Sequence, residues 1–496
     1  MKPTAATRDL LLLLLIVLTG LALRVYHLSW FPLWRDEAFT RYFSDYPLQI
    51  LWTTGFAQES NPPGYYTLIH LWMAFFGTSE AALRFPSVLA ATVTIALVYA
   101  LGKELAGSKI GLAGALIFAL CPSEIWYAQE ARTYATFQVP LALMLLSLAR
   151  FLKQPKSVLN LALYAVTATS CVYLHYSTLF LIVACNLAVL SAILGKFVPL
   201  NRRDLVNWII ANGCVAVALL PVYHAMRGQI GNANITWVQP FSCSRLLVCL
   251  SDMVAGSAAE LEFTHRYTLL FLLVLGIGLH RLSSLDRRIV TVLLLVPIFF
   301  IGVVILASLK QSLLVPRIFL WNWIPLSLLL GLVLSHRRPM CWIVLAATAV
   351  LFGFGLKAHY FSGHVLKENW RDIQALEPEQ IPPAGTLVLG PLITTGPLAY
   401  YHPELIPRVK TWWNNSTPQP YWMEIMNERF NIPNVESDAL RQEIASGKPI
   451  SLLILPEQDV SDLPHPDRVY HDVLGDAKIS ILRWNEDAIK ATLPPK

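Results

Sequence analysis

The chain has 496 residues, of which 55% are hydrophobic and 14% are charged. Soluble domains carry about 25% charged residues, so this composition excludes a soluble globular protein and indicates a helical protein that crosses the membrane several times. The net charge of +6 comes from short loops between apolar segments. It therefore reflects membrane topology, and we expect no nucleic acid partner.

Apolar runs in chain order predict about eleven transmembrane helices, since a span needs about 20 apolar residues. The runs lie at roughly 10–26, 84–102, 109–122, 134–152, 158–176, 177–195, 206–224, 267–280, 289–309, 316–334 and 340–357. Several are shorter than a perpendicular span, and the run at 109–122 is the weakest because it ends at Pro122. We expect the first run to be an uncleaved helix, because no small-residue cleavage motif follows it.

The lysine and arginine residues predict the orientation of these spans. When the N-terminus, with Lys2 and Arg8, is placed in the cytoplasm, every second connection is short and basic, and the acidic residues collect on the opposite side. An odd number of spans then places the tail outside. We therefore predict a multi-pass protein of the cytoplasmic membrane, with a cytoplasmic N-terminus and an extracytoplasmic C-terminal domain.

The tail, residues 358–496, is richer in charge and proline than residues 1–357. Three stretches are typical of short buried strands: "TLVLG" (386–390), "SLLILP" (451–456) and "KISILRW" (478–484). Two stretches predict helices, "NWRDIQALE" (369–377) and "SDALRQEIASG" (437–447), with Ser437 as the cap of the second helix and Gly447 as its end. We predict a polytopic all-α membrane domain followed by a small α/β domain.

Polar residues that could carry chemistry concentrate in the predicted outer loops. The first loop, about 27–83, contains "RDEAF" and "ESNPPGYYTLIHLW"; the others of interest are "CPSEIWYAQEARTYA" (121–135), "YLHYST" (173–178), the long loop 225–266 and "LKQSLLVPR" (309–317). Carboxylates at a membrane surface can bind a divalent cation or take a proton from a hydroxyl. Arginine is the preferred planar binder of phosphate. The set predicts a reaction on a lipid-linked phosphate.

Each of these residues also has a structural explanation. Asp36 can cap an interfacial helix, and Glu37 can pair with Arg41 four residues on. Arg132 can pair with Glu130 or reach the lipid headgroups. Ordinary loop, turn or span-end positions explain three more residues: Glu59, His175 and Arg317. The co-location of these residues, rather than any one of them, favours a functional site.

The order of the motifs resembles one family. A first span is followed by "RDEAF", "ESNPPGYYTLIHLW", two spans, "YAQEARTYA", "YLHYS", "VPRIFLWNWIPLSLLLG" and then "KENWRDI". This order resembles the bacterial family 39-like glycosyltransferases, a multispan class with C-type architecture that uses polyprenyl-phosphate sugars. It is similar to protein O-mannosyltransferases and to the lipid A aminoarabinose transferase. The resemblance covers most of the membrane part.

The resemblance implies roles residue by residue. Asp36 corresponds to the first-loop aspartate that acts as general base or binds the acceptor, and Glu37 completes the acidic pair. Glu59 corresponds to an acidic residue that helps to hold a divalent cation, Mg or Mn, whereas Asn61 stands where relatives often have His or Lys. We predict that six further residues bind substrate or the carrier phosphate: Glu130, Arg132, Tyr134, Arg317, Tyr65 and His175.

These expectations predict an inverting glycosyltransferase. It would move a sugar from a polyprenyl-phosphate carrier to a hydroxyl of an envelope acceptor, which could be a protein, a lipid or a glycan, with Asp36 as general base. Two alternatives stay open: a ligase or polymerase of lipid-linked oligosaccharides, and a transporter or flippase. Transporters place ionisable residues at the bilayer midplane and show internal repeats; the predicted spans are nearly free of charge at their centres, and no repeat is evident.

Overall fold

The computed structural model describes residues 4–196, 198, 200–229, 238, 240–255, 261–280, 286–335, 339–361, 367–376, 385–390, 395–412, 421–454, 460–471 and 479–485. Over these residues, a helical membrane part leads into a smaller part that is built around one sheet. The predicted combination of a polytopic helical membrane part and a small α/β part is confirmed.

The described α-helices are, in chain order, α1 (Ala5–Val25), α2 (Arg35–Phe43), α3 (Leu48–Trp52), α4 (Thr54–Gln58), α5 (Pro63–Phe76), α6 (Glu80–Ala106), α7 (Ser108–Leu120), α8 (Pro122–Ala128), α9 (Thr133–Thr136), α10 (Gln138–Lys153), α11 (Val158–Leu174), α12 (Thr178–Leu194), α13 (Arg202–Ala218), α14 (Leu220–Gln229), α15 (Cys243–Ala255), α16 (Leu261–His280), α17 (Arg287–Ile289), α18 (Val296–Ser308), α19 (Trp323–Ser335), α20 (Pro339–Phe361), α21 (Thr395–Tyr401), α22 (Tyr421–Phe430) and α23 (Ser437–Ala445). A π-helix, Val290–Leu295, joins α17 to α18. Short 3-10 helices occupy Pro316–Ile318, Leu320–Asn322, Trp370–Leu376 and Pro403–Arg408.

Five helical segments within the described residues are long and apolar enough to cross a membrane: Ala5–Val25, Glu80–Ala106, Thr133–Lys153, Arg287–Ser308 and Cys341–Phe361. Two bent pairs meet the same criteria when each is taken as one span: Ser108–Leu120 with Pro122–Ala128, and Arg202–Ala218 with Leu220–Arg227. Four shorter apolar helices are Val158–Leu174, Thr178–Leu194, Thr268–Ile277 and Leu320–Ser335. Together these elements coincide with the predicted apolar runs.

The run that was hardest to assign from sequence is a bent pair of helices. Helix α7 ends at Leu120, and α8 begins at Pro122 with a change of direction of 61°. Proline suits the first position of a helix because it has no N–H to leave unbonded. The bend carries the chain across to the segment 129–135, which contains several candidate site residues.

The first predicted outer loop is folded into four short helices, α2 to α5. Pro63 opens α5 at the position where proline is favoured. At Gly64 a Cβ atom would overlap with the carbonyl oxygen of Tyr173, so only glycine allows α5 to pack against the end of α11. This close approach brings the first loop next to the turn that contains His175.

The sheet has the strand order β3-β2-β1-β4-β6-β5. Its strands are β1 (Thr386–Leu389), β2 (Val409–Trp412), β3 (Asn434–Val435), β4 (Ile450–Ile454), β5 (Arg468–Tyr470) and β6 (Ser480–Trp484). The first four strands in this order are mutually parallel, and β6 and β5 are antiparallel to their neighbours. Leu387 and Leu389 pack into one core, while Val388 packs into a core on the other face, as the two-residue period of a strand requires.

The predicted strands at 386–390, 451–456 and 478–484 are confirmed as β1, β4 and β6. The predicted helix at 369–377 forms as the 3-10 helix Trp370–Leu376, and the helix at 437–447 forms as α23. One detail was wrong: Glu436, and not Ser437, is the residue that precedes the first turn of α23. Ser437 instead accepts a hydrogen bond from the indole N–H of Trp412 at 3.1 Å.

Candidate active site

Asp36 is the second residue of α2, and its partly exposed carboxylate faces two arginine residues. Its Oδ2 atom lies 3.8 Å from Nη2 of Arg132 and 3.8 Å from Nη1 of Arg317. The Asp36 side chain is 28% exposed, whereas that of Arg132 is 7% exposed. A carboxylate that water can reach thus lies between two guanidinium groups.

Arg132 is held by helix α2. Its Nη1 atom donates to the backbone carbonyl of Asp36 at 3.3 Å and to Oγ1 of Thr40 at 3.1 Å. The buried Nε atom has no hydrogen-bond partner among the described residues. The Nε–H group of Arg132 is therefore an unused donor inside the site, while Nη1 fixes the guanidinium group to α2, the helix that carries Asp36.

The ring of Tyr134 contacts both arginine residues. The guanidinium carbon of Arg132 is 5.9 Å from the centre of its ring, and that of Arg317 is 5.3 Å away. These distances fall within the range of cation–π interactions. The ring also makes an edge contact with His175, with 5.8 Å between the ring centres. Tyr134 therefore holds both guanidinium groups next to the histidine.

His175 follows α11, and its hydrogen bonds and surroundings define the tautomer and the charge of its ring. Its Nδ1 atom accepts hydrogen bonds from the backbone N–H of Ser177 at 3.2 Å and from Oγ of Ser177 at 2.7 Å. Burial, with the positive charges of Arg317 and Arg132, lowers the pKa of His175 to about 3. The ring is therefore neutral at pH 7, and its proton lies on Nε2, since Nδ1 acts as the acceptor.

Glu37 points away from Asp36 into a fully buried ion pair. Its Oε1 and Oε2 atoms accept from Nε and Nη2 of Arg84 at 2.7 and 2.6 Å, and Oε1 also accepts from the backbone N–H of Ala131 at 2.8 Å. Burial alone would raise the pKa of Glu37, but Arg84 and Lys367 outweigh it and hold this pKa below its usual value. The alternative pairing of Glu37 with Arg41 does not form.

Arg84 ties the same pair to the backbone. Its guanidinium group also donates to the carbonyls of Leu28, Phe31 and Pro32, at 2.8, 2.8 and 3.1 Å. The Glu37 carboxylate thus belongs to a network that fixes the entry of the first loop. This environment favours a structural role for Glu37, in contrast with the catalytic role that was predicted.

Glu59 lies near Arg132 but is already well bonded. Its Oε1 atom accepts from Nδ2 of Asn61 at 3.0 Å and from the hydroxyl of Tyr66 at 3.1 Å. Burial raises the pKa of Glu59, against the opposing effects of Asn61 and Arg132. Over the residues that the structure describes, no group of three or more His, Cys, Asp or Glu side chains is arranged to hold a metal ion.

Glu130 and Tyr65 border the cluster. Oε1 of Glu130 forms an ion pair with Nζ of Lys367 at 3.0 Å, while its buried Oε2 has no hydrogen-bond partner among the described residues. Burial raises the pKa of Glu130, and Lys367 opposes this shift. The hydroxyl of Tyr65 lies 3.4 Å from Oγ of Ser87, which in turn donates to the carbonyl of Arg132 at 3.1 Å.

The structure thus brings five predicted residues into one cluster: Asp36, Arg132, Tyr134, His175 and Arg317. Glu59, Glu130 and Tyr65 lie at its border, and Glu37 belongs to the adjacent buried ion pair with Arg84. Two partners, Arg84 and Lys367, were missed by sequence reasoning. The signal for Arg84 was a charged residue at the start of an apolar run, and the signal for Lys367 was its place at the head of "KENWRDI".

This arrangement defines a class of protein: a helical membrane protein with a partly exposed carboxylate between two guanidinium groups. Residues 60–226 match the family model of dolichyl-phosphate-mannose-protein mannosyltransferases. The match confirms the predicted resemblance and the predicted enzyme class, a membrane glycosyltransferase. No curated protein matches the chain.

Solved structures are similar to this chain in fold, at low sequence identity. ArnT from Cupriavidus metallidurans in the apo state matches with a TM-score of 0.60 and 12% identity, over 99% of this chain and 100% of that chain. ArnT bound to undecaprenyl phosphate matches with a TM-score of 0.52 and 12% identity, over 94% and 97%. The oligosaccharyltransferase AglB from Archaeoglobus fulgidus, in complex with an inhibitory peptide and a dolichol-phosphate, has a TM-score of 0.52 and 12% identity, over 90% and 69%.

Proposed function

We propose that the protein transfers a sugar from a polyprenyl-phosphate carrier to a hydroxyl of an envelope acceptor, with inversion at the anomeric carbon. The observation that carries this proposal is the position of Asp36, 3.8 Å from both Arg132 and Arg317. Solved relatives of the same fold bind undecaprenyl phosphate or a dolichol-phosphate. The reaction is placed at the outer face of the cytoplasmic membrane, following the distribution of basic loops.

Arg132 and Arg317 bind the carrier phosphate in this proposal. Both guanidinium groups are 3.8 Å from the Asp36 carboxylate, which is farther than a hydrogen bond allows, so a phosphate oxygen can approach them without first breaking a close ion pair with that carboxylate. Guanidinium groups bind phosphate oxygens through charge-assisted hydrogen bonds. The neutral ring of His175 can add an Nε2–H donor without adding charge. Neutralisation of the phosphate makes it a better leaving group.

Asp36 acts as the general base. It takes the proton from the acceptor hydroxyl as the hydroxyl oxygen attacks the anomeric carbon, and the bond between that carbon and the phosphate oxygen breaks. The polyprenyl phosphate leaves with the bonding electron pair, and the new glycosidic bond forms on the opposite face of the sugar. General base catalysis supplies roughly 10²–10⁴-fold of the acceleration, and positioning and charge neutralisation supply the rest.

The predicted divalent cation, Mg or Mn, stays a prediction, with Glu59 as its candidate ligand. The described residues do not fit a metal site well, because Oε1 of Glu59 already accepts hydrogen bonds from Asn61 and Tyr66. The proposed steps therefore do not pass through a cation. Turnover measured after chelation, and again after Mg²⁺ or Mn²⁺ is returned, tests the prediction directly.

The proposal is tested with the purified protein and its Asp36→Asn variant. Each is incubated with a panel of polyprenyl-phosphate sugars, a mixture of envelope acceptors is added, and release of polyprenyl phosphate is followed. We expect release by the wild type and a loss of about 10²-fold or more in the variant. The matched control is Asp45→Asn, which removes another acid of the first loop that pairs with Arg41 and Arg429.

Several outcomes would contradict the proposal. A retained anomeric configuration, or a sugar bound covalently to Asp36, would exclude the single displacement. Equal release by wild type and Asp36→Asn would remove Asp36 from the chemistry. Movement of carrier lipid across vesicles without any release would favour a transporter.

A second candidate is the transfer of a whole lipid-linked oligosaccharide. It is favoured by the shared fold with AglB, which is described as an oligosaccharyltransferase. The same assay separates the two candidates when carriers with one sugar and with several sugars are compared. Turnover of the longer carrier alone would replace the monosaccharide proposal.

A further inference from the structure

The C-terminal part of the chain forms hydrogen bonds and an ion pair with the segment that carries Asp36. The hydroxyl of Tyr401 accepts a hydrogen bond from the backbone N–H of Leu33 at 2.7 Å. Oε2 of Glu368 accepts from the backbone N–H of Arg35 at 3.1 Å, and Oε1 of Glu368 lies 2.6 Å from Nε of the Arg35 side chain. Two residues from beyond α20 thus bond to Leu33 and Arg35, within three residues before Asp36.

These contacts satisfy groups that the helix cannot satisfy itself. The first N–H groups of any helix lack an intrahelical acceptor, and Arg35 is the first residue of α2. Glu368 supplies the acceptor with a carboxylate that is buried and fixed by the indole N–H of Trp370, at 2.7 Å. A negative charge is favourable at this end of a helix. The start of α2 is therefore anchored by a side chain that lies 333 residues later in the chain.

The anchoring reaches both flanks of Asp36. On the preceding side, Arg35 is bonded to Glu368. On the following side, Glu37 forms the buried ion pair with Arg84. The next residue, Ala38, packs closely against Gly396 of α21, since a Cβ atom at Gly396 would lie 3.3 Å from Cβ of Ala38. Asp36 itself remains partly exposed between these fixed neighbours.

We propose that Glu368 is a positioning residue for the transfer reaction: it sets the start of α2, and thereby the direction in which the Asp36 carboxylate meets the acceptor hydroxyl. This inference rests on the proposed function, because it assigns Asp36 as the base. Glu368 does not contact the arginine residues that are proposed to bind the carrier phosphate. Its loss should therefore affect the chemical step more than carrier binding.

The chain offers a matched control at the other end of the same helix. Arg429 on α22 forms an ion pair with Asp45 at 2.5 Å and donates to the carbonyl of Tyr42 at 3.2 Å. Arg429 also joins the C-terminal part to the first loop, but its contacts lie at the last turn of α2 and just beyond it. The Arg429→Gln variant thus weakens the docking of the two parts without releasing the start of the helix.

The experiment compares full-length wild type, Glu368→Gln and Arg429→Gln in detergent. Hydrogen–deuterium exchange is read on peptides that cover residues 33–38 and 42–46, and release of polyprenyl phosphate is measured with the carrier sugar that the wild type uses. We expect Glu368→Gln to speed exchange over 33–38 and to lower kcat about 10- to 100-fold, with the KM for the carrier within about twofold of wild type. Arg429→Gln should speed exchange over 42–46 and keep kcat within about threefold.

Three results would overturn the inference: unchanged exchange over 33–38 in Glu368→Gln, an equal loss of kcat in both variants, or a rise in KM with kcat unchanged. Arg35→Gln separates the two halves of the contact. It removes the side-chain ion pair but leaves the backbone N–H bonded, so its loss of kcat should be smaller than that of Glu368→Gln. If the wild type releases no polyprenyl phosphate from any carrier, the proposed function fails, while the exchange comparison still decides whether Glu368 anchors α2.

Discussion

Replacement of Glu37 by Gln should destabilise the fold, although its neighbour Asp36 can be replaced at little structural cost. The Glu37 and Arg84 side chains are 0% and 1% exposed, and their closest atoms are 2.6 Å apart. Removing one partner of a buried ion pair leaves the other charge uncompensated and costs about 3–5 kcal/mol. Since proteins are stable by only about 5–15 kcal/mol, Glu37→Gln should lose a large part of its stability.

The expected cost of Asp36→Asn is much smaller. Its side chain is 28% exposed, and both nearby guanidinium groups are 3.8 Å away. Loose ion pairs that water can screen contribute about 0–1 kcal/mol. The two substitutions therefore change adjacent carboxylates by the same chemistry, yet their stability effects should differ by about 2 kcal/mol or more.

The assay is equilibrium unfolding of both variants in the same detergent, together with release of polyprenyl phosphate per folded molecule. We expect Glu37→Gln to unfold at a much lower denaturant concentration than wild type, and Asp36→Asn to unfold at nearly the same concentration as wild type. Only Asp36→Asn should lose the chemical step. A Glu37→Gln protein that is as stable as wild type but inactive would refute this reasoning, and it would return Glu37 to the catalytic role that the sequence suggested.

Other predictions follow from the same contacts. Arg132→Gln and Arg317→Gln should each raise the KM for the carrier about 10- to 100-fold, because a charge-assisted hydrogen bond contributes about 1.5–3 kcal/mol; unchanged KM values would contradict the phosphate site. The pKa of about 3 for His175 in the folded protein lies below the unfolded value of about 6.5, so the unfolded state binds more protons between these two pH values. The free energy of unfolding should therefore fall by about 1.4 kcal/mol per pH unit as the pH drops below about 6.5. His175→Asn should flatten this slope. Lys367→Met leaves Glu130 buried without its cation and raises the pKa of Glu130 further. Compared with wild type, the free energy of unfolding of the variant should therefore fall more as the pH rises above about 4.3, the unfolded pKa of a glutamate. A loss of stability that does not depend on pH would exclude this cause.

Much of the fold was predictable because hydrophobic length is a direct signal. The apolar runs coincide with the described membrane helices, and three of the six strands were located by their buried aliphatic residues. Strand β2 was missed because "VKTW" is short and contains a lysine, whose amine pairs with Glu443 at 2.7 Å. Strands β3 and β5 have two and three residues, which is too short for a periodic pattern to appear.

The site was only partly predictable, because residue type indicates what a side chain can do and not where it points. Asp36 and Glu37 are adjacent, but successive residues of an α-helix point about 100° apart. One carboxylate therefore reaches the arginine cluster, and the other enters the buried pair with Arg84. Only the fold reveals that difference, since Arg84 belongs to a helix that begins more than forty residues later.

In the proposed mechanism, the two acidic residues let one short helix serve both stability and chemistry. A catalytic base must be reachable by its substrate, so it cannot be fixed by a dense set of hydrogen bonds of its own. In this protein the fixing falls to its neighbours: Arg35 is bonded to Glu368, and Glu37 is bonded to Arg84 and to the backbone of Ala131. The carboxylate of Asp36 can then stay partly exposed while its backbone is held on both sides. If Asp36 is the base that we propose, this division accounts for an acidic pair, rather than a single acid, at the start of α2.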